Sequence, residues 1–161
     1  MNYSYDKNGF VRVQDPYDRS GYVHGIAVLL EHPNARLPKR ANPTDAGADL
    51  TSIGDYTIKP GESMLIDTGV SIKIPVGYAG ILMCRSSQRV KGITSLGDGL
   101  IDSDYRGTLR VFLMNLGKKD YEIYVGDKIG QLVIKKVEIA EYVDIWNDTE
   151  RGTGGFGSTG K

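Results

Sequence analysis

A single cysteine, Cys84, stands among the 161 residues, and one thiol cannot close an intrachain disulfide. That sets aside the disulfide-stapled secreted scaffolds and suits a reducing compartment. Charge of one sign is also missing. Twenty Lys and Arg face twenty Asp and Glu, a balance that argues against a generic polyanion binder or a basic membrane-surface protein and makes any affinity for phosphate a local matter. Long apolar runs are absent as well: stretches such as residues 26–30 fall far short of the ~18 to 20 apolar residues needed to span a bilayer. The opening MNYSYDKNGF has no basic region followed by an apolar stretch, so no secretory leader is read there and a cytoplasmic location is expected.

What is present in excess is glycine, 21 residues, alongside ten tyrosines. With abundant Val and Ile, this composition favours strands and tight turns over helices. At this length one domain is expected, burying roughly 70% of the unfolded chain's surface. Alternating or short apolar segments at 26–30, 63–67, 70–74, 79–85, 108–115, 121–125 and 128–137 read as strands. Lys59-Pro60-Gly61, Ile74-Pro75-Val76-Gly77 and Val125-Gly126-Asp127 read as the turns between them. Only residues 86–90 look able to form a helical turn, with Ser86 as its N-cap. The predicted class is all-β, a sandwich or barrel with one very short helix. The first 24 residues are polar with scattered aromatics and no clear period, and read as an arm. Five of the last ten residues are Gly, a composition expected to stay flexible until a ligand orders it.

That tail contains two decoys. Residues 155–161 spell GxxxxGK and residues 152–157 spell GxGxxG, but both phosphate-binding motifs need a strand before and a helix after. Both are set aside; what survives is a run of glycine amides that, with Arg151, Ser158 and Thr159, can wrap an anion.

Four other strings carry chemistry. Gly99-Leu100-Ile101-Asp102-Ser103-Asp104-Tyr105-Arg106-Gly107 reads as a hairpin, in which ordinary turn chemistry competes with an Asp acting as general base on a water. In extended chain Asp102 and Asp104 would share a face. Cys84-Arg85-Ser86-Ser87-Gln88-Arg89 puts a guanidinium and two hydroxyls at a helix start, where they either cap the helix or hold phosphate oxygens. Asp45-Ala46-Gly47-Ala48-Asp49-Leu50 reads as a turn, or as a close approach with a carboxylate suited to hydrated Mg²⁺. Gly126-Asp127-Lys128-Ile129-Gly130-Gln131-Leu132 enters a buried strand with one polar exception, Gln131, either a satisfied core amide or a group that holds a water.

In this order these strings resemble the five motifs of the trimeric deoxyuridine triphosphatases (dUTPases), and the resemblance runs from about Ile26 to Lys161. GLIDSDYRG and the RGTGGFGSTG ending are its most specific parts. The resemblance implies a dUTPase-like, jelly-roll-like β-barrel over residues 25–146, after an N-terminal extension over 1–24 and before a flexible tail over 147–161 that closes the active site. It implies hydrolysis of dUTP to dUMP and pyrophosphate by water attack on the α-phosphorus, which keeps uracil out of DNA and supplies dUMP for thymidylate synthesis. By the same resemblance Asp102 is the general base, Gln131 lies near the attacking water and Ser86 contacts the α/β phosphate bridge. Arg85 and Ser87 support the phosphates, and main-chain groups of Gly99, Leu100 and Ile101 hold the uracil edge. Tyr105 lies under the deoxyribose and rejects ribonucleotides. Asp49 receives, through water, a Mg²⁺ ion chelated by the triphosphate. Phe156 stacks over uracil, and Arg151, Gly157, Ser158 and Thr159 close on the γ-phosphate. The implied assembly is a homotrimer whose sites are shared between subunits, with no membrane or direct nucleic-acid partner.

Three positions depart from the family pattern. Ser87-Gln88 stand where RSGL or RSGA is common, Asp98 replaces a small apolar residue, and Leu96 is not the Asn some members place on uracil. Two rival readings differ in class. A dCTP deaminase of the same fold also carries an RSSxxR string, but it needs a glutamate on the strand after the hairpin, and residues 108–115 hold no acid. A non-catalytic, nucleotide-gated regulatory protein would not need Asp102, Tyr105 and Gln131 together.

Overall fold

The computed structural model describes residues 4–14, 22–95, 99–147, 149 and 152–153. Thirteen strands and one helix are assigned among them: β1 (Val11–Gln14), β2 (Tyr22–Gly25), β3 (Ala27–Leu30), β4 (Ala48–Thr51), β5 (Tyr56–Ile58), β6 (Ser63–Asp67), β7 (Val70–Lys73), β8 (Tyr78–Met83), α1 (Ser86–Val90), β9 (Ile93–Ser95), β10 (Gly99–Ile101), β11 (Arg110–Asn115), β12 (Tyr121–Ile123) and β13 (Lys128–Lys136). The all-β class with one short helix, expected from composition, is what the chain adopts.

The strands pair antiparallel in small sheets: β10-β8-β13-β4, β6-β11-β9, and the pairs β1-β2, β3-β7 and β12-β5. Among the described residues they do not run on into one closed ladder. Alternation explains β11, where Val111, Leu113 and Asn115 are buried between exposed Arg110 and Phe112 and half-buried Met114. Leu50, Ile58, Ile66, Leu109, Leu113 and Ile129 are nearly inaccessible and form the heart of one apolar cluster. Two polar side chains drawn into that cluster are paired. Asn115 Nδ2 donates to the carbonyls of Ile58 and Lys119 at 2.8 Å each, and Thr68 Oγ1 donates to the Leu109 carbonyl at 2.7 Å. At the turns, Gly61, Gly77 and Gly126 all have positive φ, as Pro-Gly and Gly-Asp chemistry predicts.

Three local readings are corrected. The 99–107 string is not a hairpin: β10 pairs with β8, β11 pairs with β6 and β9, and the chain between them turns at Asp102, whose carbonyl accepts the Tyr105 N–H at 3.3 Å. Asp102 and Asp104 therefore lie in a turn rather than on one face of a strand. The Asp45–Leu50 string is a turn only at its start, since Ala48–Thr51 is β4. At α1 the N-cap is Arg85, one residue before the Ser86 expected there.

The N-terminal segment is more ordered than its lack of period suggested. β1 and β2 form a ladder, Val11 opposite Gly25 and Val13 opposite Val23, and the connecting residues 15–21 lie outside the described residues. Phe10 is buried at its base, stacked on His24 with ring centroids 4.5 Å apart and meeting Tyr78 of β8 edge-on at 4.7 Å.

Candidate active site

Asp49 is buried in β4, yet both its carboxylate oxygens are engaged by cations. Arg85 Nε donates to Oδ1 at 2.9 Å, and Lys128 Nζ lies 2.7 Å from Oδ2. The three groups come from separate elements for local reasons. β8 delivers Arg85 to the start of α1. Lys128 opens β13, where the register against β4 slips between Lys128 and Gly130, so a bulge turns the lysine toward the carboxylate. Two cations around one carboxylate leave a net positive spot, which suits phosphate oxygens.

Gln131 pairs with Asp49 on one side and Met83 on the other. Its amide lies against Gly47, where an added Cβ would come within 2.5 Å of Oε1 and 3.1 Å of the Gln131 Cβ, so a side chain there would displace the amide. A depression lined by Ala46, Gly47, Asp49, Arg85 and Gln131 joins three of the sequence strings. A second, on the far side of Arg85, is lined by Ser87, Gln88, Lys91, Asp127 and Lys128 among others. Ser86 and Ser87 are exposed at the helix start. Cys84, just before it, is buried, and burial pushes its thiol pKa up, with Arg89 and Arg85 pulling the other way.

The other string is elsewhere. β10 is an edge strand on β8, so one row of its main-chain N–H and C=O groups is left unpaired by strands among the described residues. Gly99, Leu100 and Ile101 thus offer the kind of backbone edge that can read a base. Asp102 is exposed, with no side-chain partner among the described residues. Arg106 ties the turn down by donating from Nη1 to the carbonyls of Ser103 and Tyr105 at 2.9 and 2.7 Å. The Tyr105 hydroxyl donates to the Thr108 carbonyl at 3.2 Å, which fixes a half-exposed ring over the loop.

The register separates the two groups. Gln131 faces Met83, whereas Ile101 faces Gly80, which in turn faces Ile134. Three residues along and two strands across place Ile101 about 10 Å along and about 10 Å across the sheet from Gln131, and Asp102 lies beyond it. One chain therefore brings Asp49, Arg85, Lys128 and Gln131 together and holds Asp102 and Tyr105 apart from them. Arg151, Phe156, Gly157, Ser158 and Thr159, with Leu96 and Asp98, lie outside the described residues. Lys128 was missed as a site residue in the sequence. Its signal was a cation three residues before Gln131, but the bulge that aims it is not written in any spacing.

No group of three or more His, Cys, Asp or Glu side chains that could hold a metal forms among the described residues. Asp49 is a lone carboxylate with a cation already on each oxygen, so within one chain it is no direct ligand for a metal ion, and the corner's net positive charge favours phosphate over a free cation.

The chain is similar to known proteins in both sequence and fold. The dUTPase family model matches residues 33–160. The mouse deoxyuridine 5'-triphosphate nucleotidohydrolase is 44% identical over 135 residues, covering 83% of this chain and 82% of the mouse protein. Among solved structures, a variant of the Staphylococcus bacteriophage 80alpha dUTPase with dUpNHpp aligns with a TM-score of 0.78 at 30% identity, over 86% of this chain and 100% of that one. A variant of the dUTPase from phage phi11 of S. aureus, whose structure shows coordination of a structural Mg(II) ion, aligns with a TM-score of 0.73 at 29% identity, over 77% of this chain and 98% of that one. The chain belongs to the dUTPase family.

Proposed function

We propose that the chain, as a dUTP diphosphatase, splits dUTP into dUMP and pyrophosphate at sites assembled from more than one copy of itself. The observation that carries the shared-site reading is the separation within one sheet. Asp49, Arg85, Lys128 and Gln131 make a cationic, phosphate-sized corner, while Asp102, Tyr105 and the free edge of β10 make a base- and sugar-sized ledge far from it. Neither half suffices for hydrolysis. A second copy supplies the missing half, and a homotrimer closes such an arrangement symmetrically. The segment after β13 supports assembly, because Ile139, Tyr142, Val143, Ile145 and Trp146 are all strongly exposed.

In the assembled site Asp102 of one copy faces the phosphate corner of another. Its carboxylate takes a proton from water as the water oxygen attacks the α-phosphorus. The bond from that phosphorus to the α/β bridging oxygen breaks, and pyrophosphate leaves with its charge held by Arg85, Ser86 and Ser87. Gln131 orients the water. The Tyr105 ring leaves no room for a 2′-hydroxyl, and the β10 backbone reads uracil. The tail residues Arg151, Phe156, Gly157, Ser158 and Thr159 close over the nucleotide and exclude bulk water. Mg²⁺ would arrive chelated by the triphosphate and neutralise part of its charge, with Asp49 reached only through the ion's waters. No helix among the described residues is long and apolar enough to cross a membrane; the proposed location is cytoplasmic. Residues 25–146 are the proposed catalytic domain.

The test is pyrophosphate release across dUTP, dTTP, dCTP and UTP with Mg²⁺. dUTP is expected to be turned over alone at a high rate, and comparable turnover of dTTP or UTP would sink the assignment of uracil to β10 and of deoxyribose to Tyr105. Deamination of dCTP is not expected, since β11 carries no acid.

A further inference from the structure

α1 starts on an N-cap whose side chain cannot accept a hydrogen bond; only its carbonyl does, from the Gln88 and Arg89 amides at 3.1 and 3.2 Å. Arg85 has extended backbone (φ −74°, ψ 146°), and its guanidinium offers only donors to a helix end whose own amides need acceptors. Gln88, three residues on, supplies an acceptor from inside the helix. Its Oε1 accepts the Arg85 backbone N–H at 3.1 Å, and the Cys84 thiol donates to the same oxygen at 3.6 Å. The side chain is only 2% exposed. Its other end is orphaned: Nε2 is buried with no partner among the described residues.

That orphan is informative. A buried donor without a partner is unfavourable, and an apolar side chain of similar length would fill the same space without it. Packing therefore does not explain an amide at this position. What only the amide oxygen achieves is to fix the Arg85 N–H. From that peptide the chain projects the guanidinium that donates to Asp49 at 2.9 Å, and then the hydroxyl of Ser86. We propose that Gln88 is a positioning residue for the phosphate half of the site, setting the peptide from which Arg85 and Ser86 reach the substrate. The inference rests on the reading of Arg85 and Ser86 as phosphate-side groups.

The test uses the full chain with Gln88→Met, Gln88→Glu and Arg85→Ala, comparing steady-state hydrolysis of dUTP with affinity for dUMP, which lacks the leaving phosphates. Gln88→Met is expected to lower kcat/KM for dUTP by about threefold to tenfold, the scale of one lost neutral hydrogen bond, with dUMP affinity unchanged. Gln88→Glu keeps an acceptor at the same reach and is expected to retain most of the parent kcat/KM. Parent-level kcat/KM in Gln88→Met, or equal losses for dUTP and dUMP, overturns the proposal. If Gln88→Met does not fold, Gln88→Glu carries the test alone, and a loss as large as that of Arg85→Ala overturns it. Arg85→Ala separates the two levels. Parent activity there removes the phosphate-side reading itself, whereas an impaired Arg85→Ala beside an unimpaired Gln88→Met removes only the role of Gln88.

Discussion

Asp49 and Asp102 are both aspartates in one sheet's neighbourhood, yet their surroundings assign them opposite work. Asp49 is buried and held by Arg85 and Lys128, so it organises positive charge. Asp102 is exposed in a turn that Arg106 braces through backbone carbonyls, so its oxygens stay free to accept a proton. If Asp102 is the base proposed, Asp102→Asn keeps shape but removes it, and kcat should fall roughly 10²-fold or more while dUTP still binds. Single-turnover rates beside calorimetric affinity check this, and hydrolysis at the parent rate would refute the mechanism. Cys84 gives a second residue-scale expectation. Its thiol pKa is raised above the ordinary 9.0, first by burial, so the thiol stays protonated through neutral pH. The associated stability is present below pH 9 and is lost as pH rises through the folded value. Labelling at pH 8 should proceed only as fast as the fold opens, and rapid stoichiometric labelling of the native protein would contradict the burial.

The N-terminal hairpin shows how an element can escape a reading by period. Its register follows from docking, with Phe10 against His24 and Tyr78, and neither partner is near it in sequence. Phe10→Ala should cost about 3 kcal/mol in urea unfolding, the lower end of the range for a buried Phe, and a change under about 1 kcal/mol would show that the hairpin does not dock. Asp6 adds a pH dependence. Partial burial opposes its charge, but the Phe10 and Asn8 amides and His24 outweigh that and hold its pKa below 3.8. A depressed carboxylate supports the hairpin above its unfolded pKa and stops doing so as pH falls through the folded value. The Phe10 and His24 ring signals in an NMR acid titration should therefore lose their mutual shifts only below about pH 4, the ordinary carboxylate range; loss well above that range would show that Asp6 does not hold the hairpin. Elsewhere, β6, β13 and α1 were legible because alternation or a clear helix start marks them. β4 was not, since Ala48, Asp49 and Leu50 are all buried and show no period. β9 and β10, three residues each, are too short to show one. The site strings were readable because their chemical groups cluster in sequence. Lys128 and Gln88 were not, because a bulge and a helix turn give them their partners.

At the scale of the whole molecule, the two half-sites make a sharp prediction about mixing. Asp102→Asn chains keep an intact phosphate corner, and Arg85→Ala chains keep an intact Asp102. Each alone should be nearly inactive, and trimers reassembled from both should recover activity at the interfaces where the two intact halves meet. Absence of recovery, in mixtures shown by light scattering to be near three times 17.6 kDa, would argue for sites complete within one chain. The register of β8 against β10 and β13 also bears on concentration. If sites are shared as proposed, a folded chain by itself is inert, and turnover reports encounter as well as folding. On progressive dilution, output per chain should decline while the β signal in circular dichroism holds, and the decline should steepen toward the square of concentration, because trimer forms as its cube. Under the shared-site proposal, synthesis of this protein therefore acts as a steep dose control, in which halving the copies more than halves the hydrolysis.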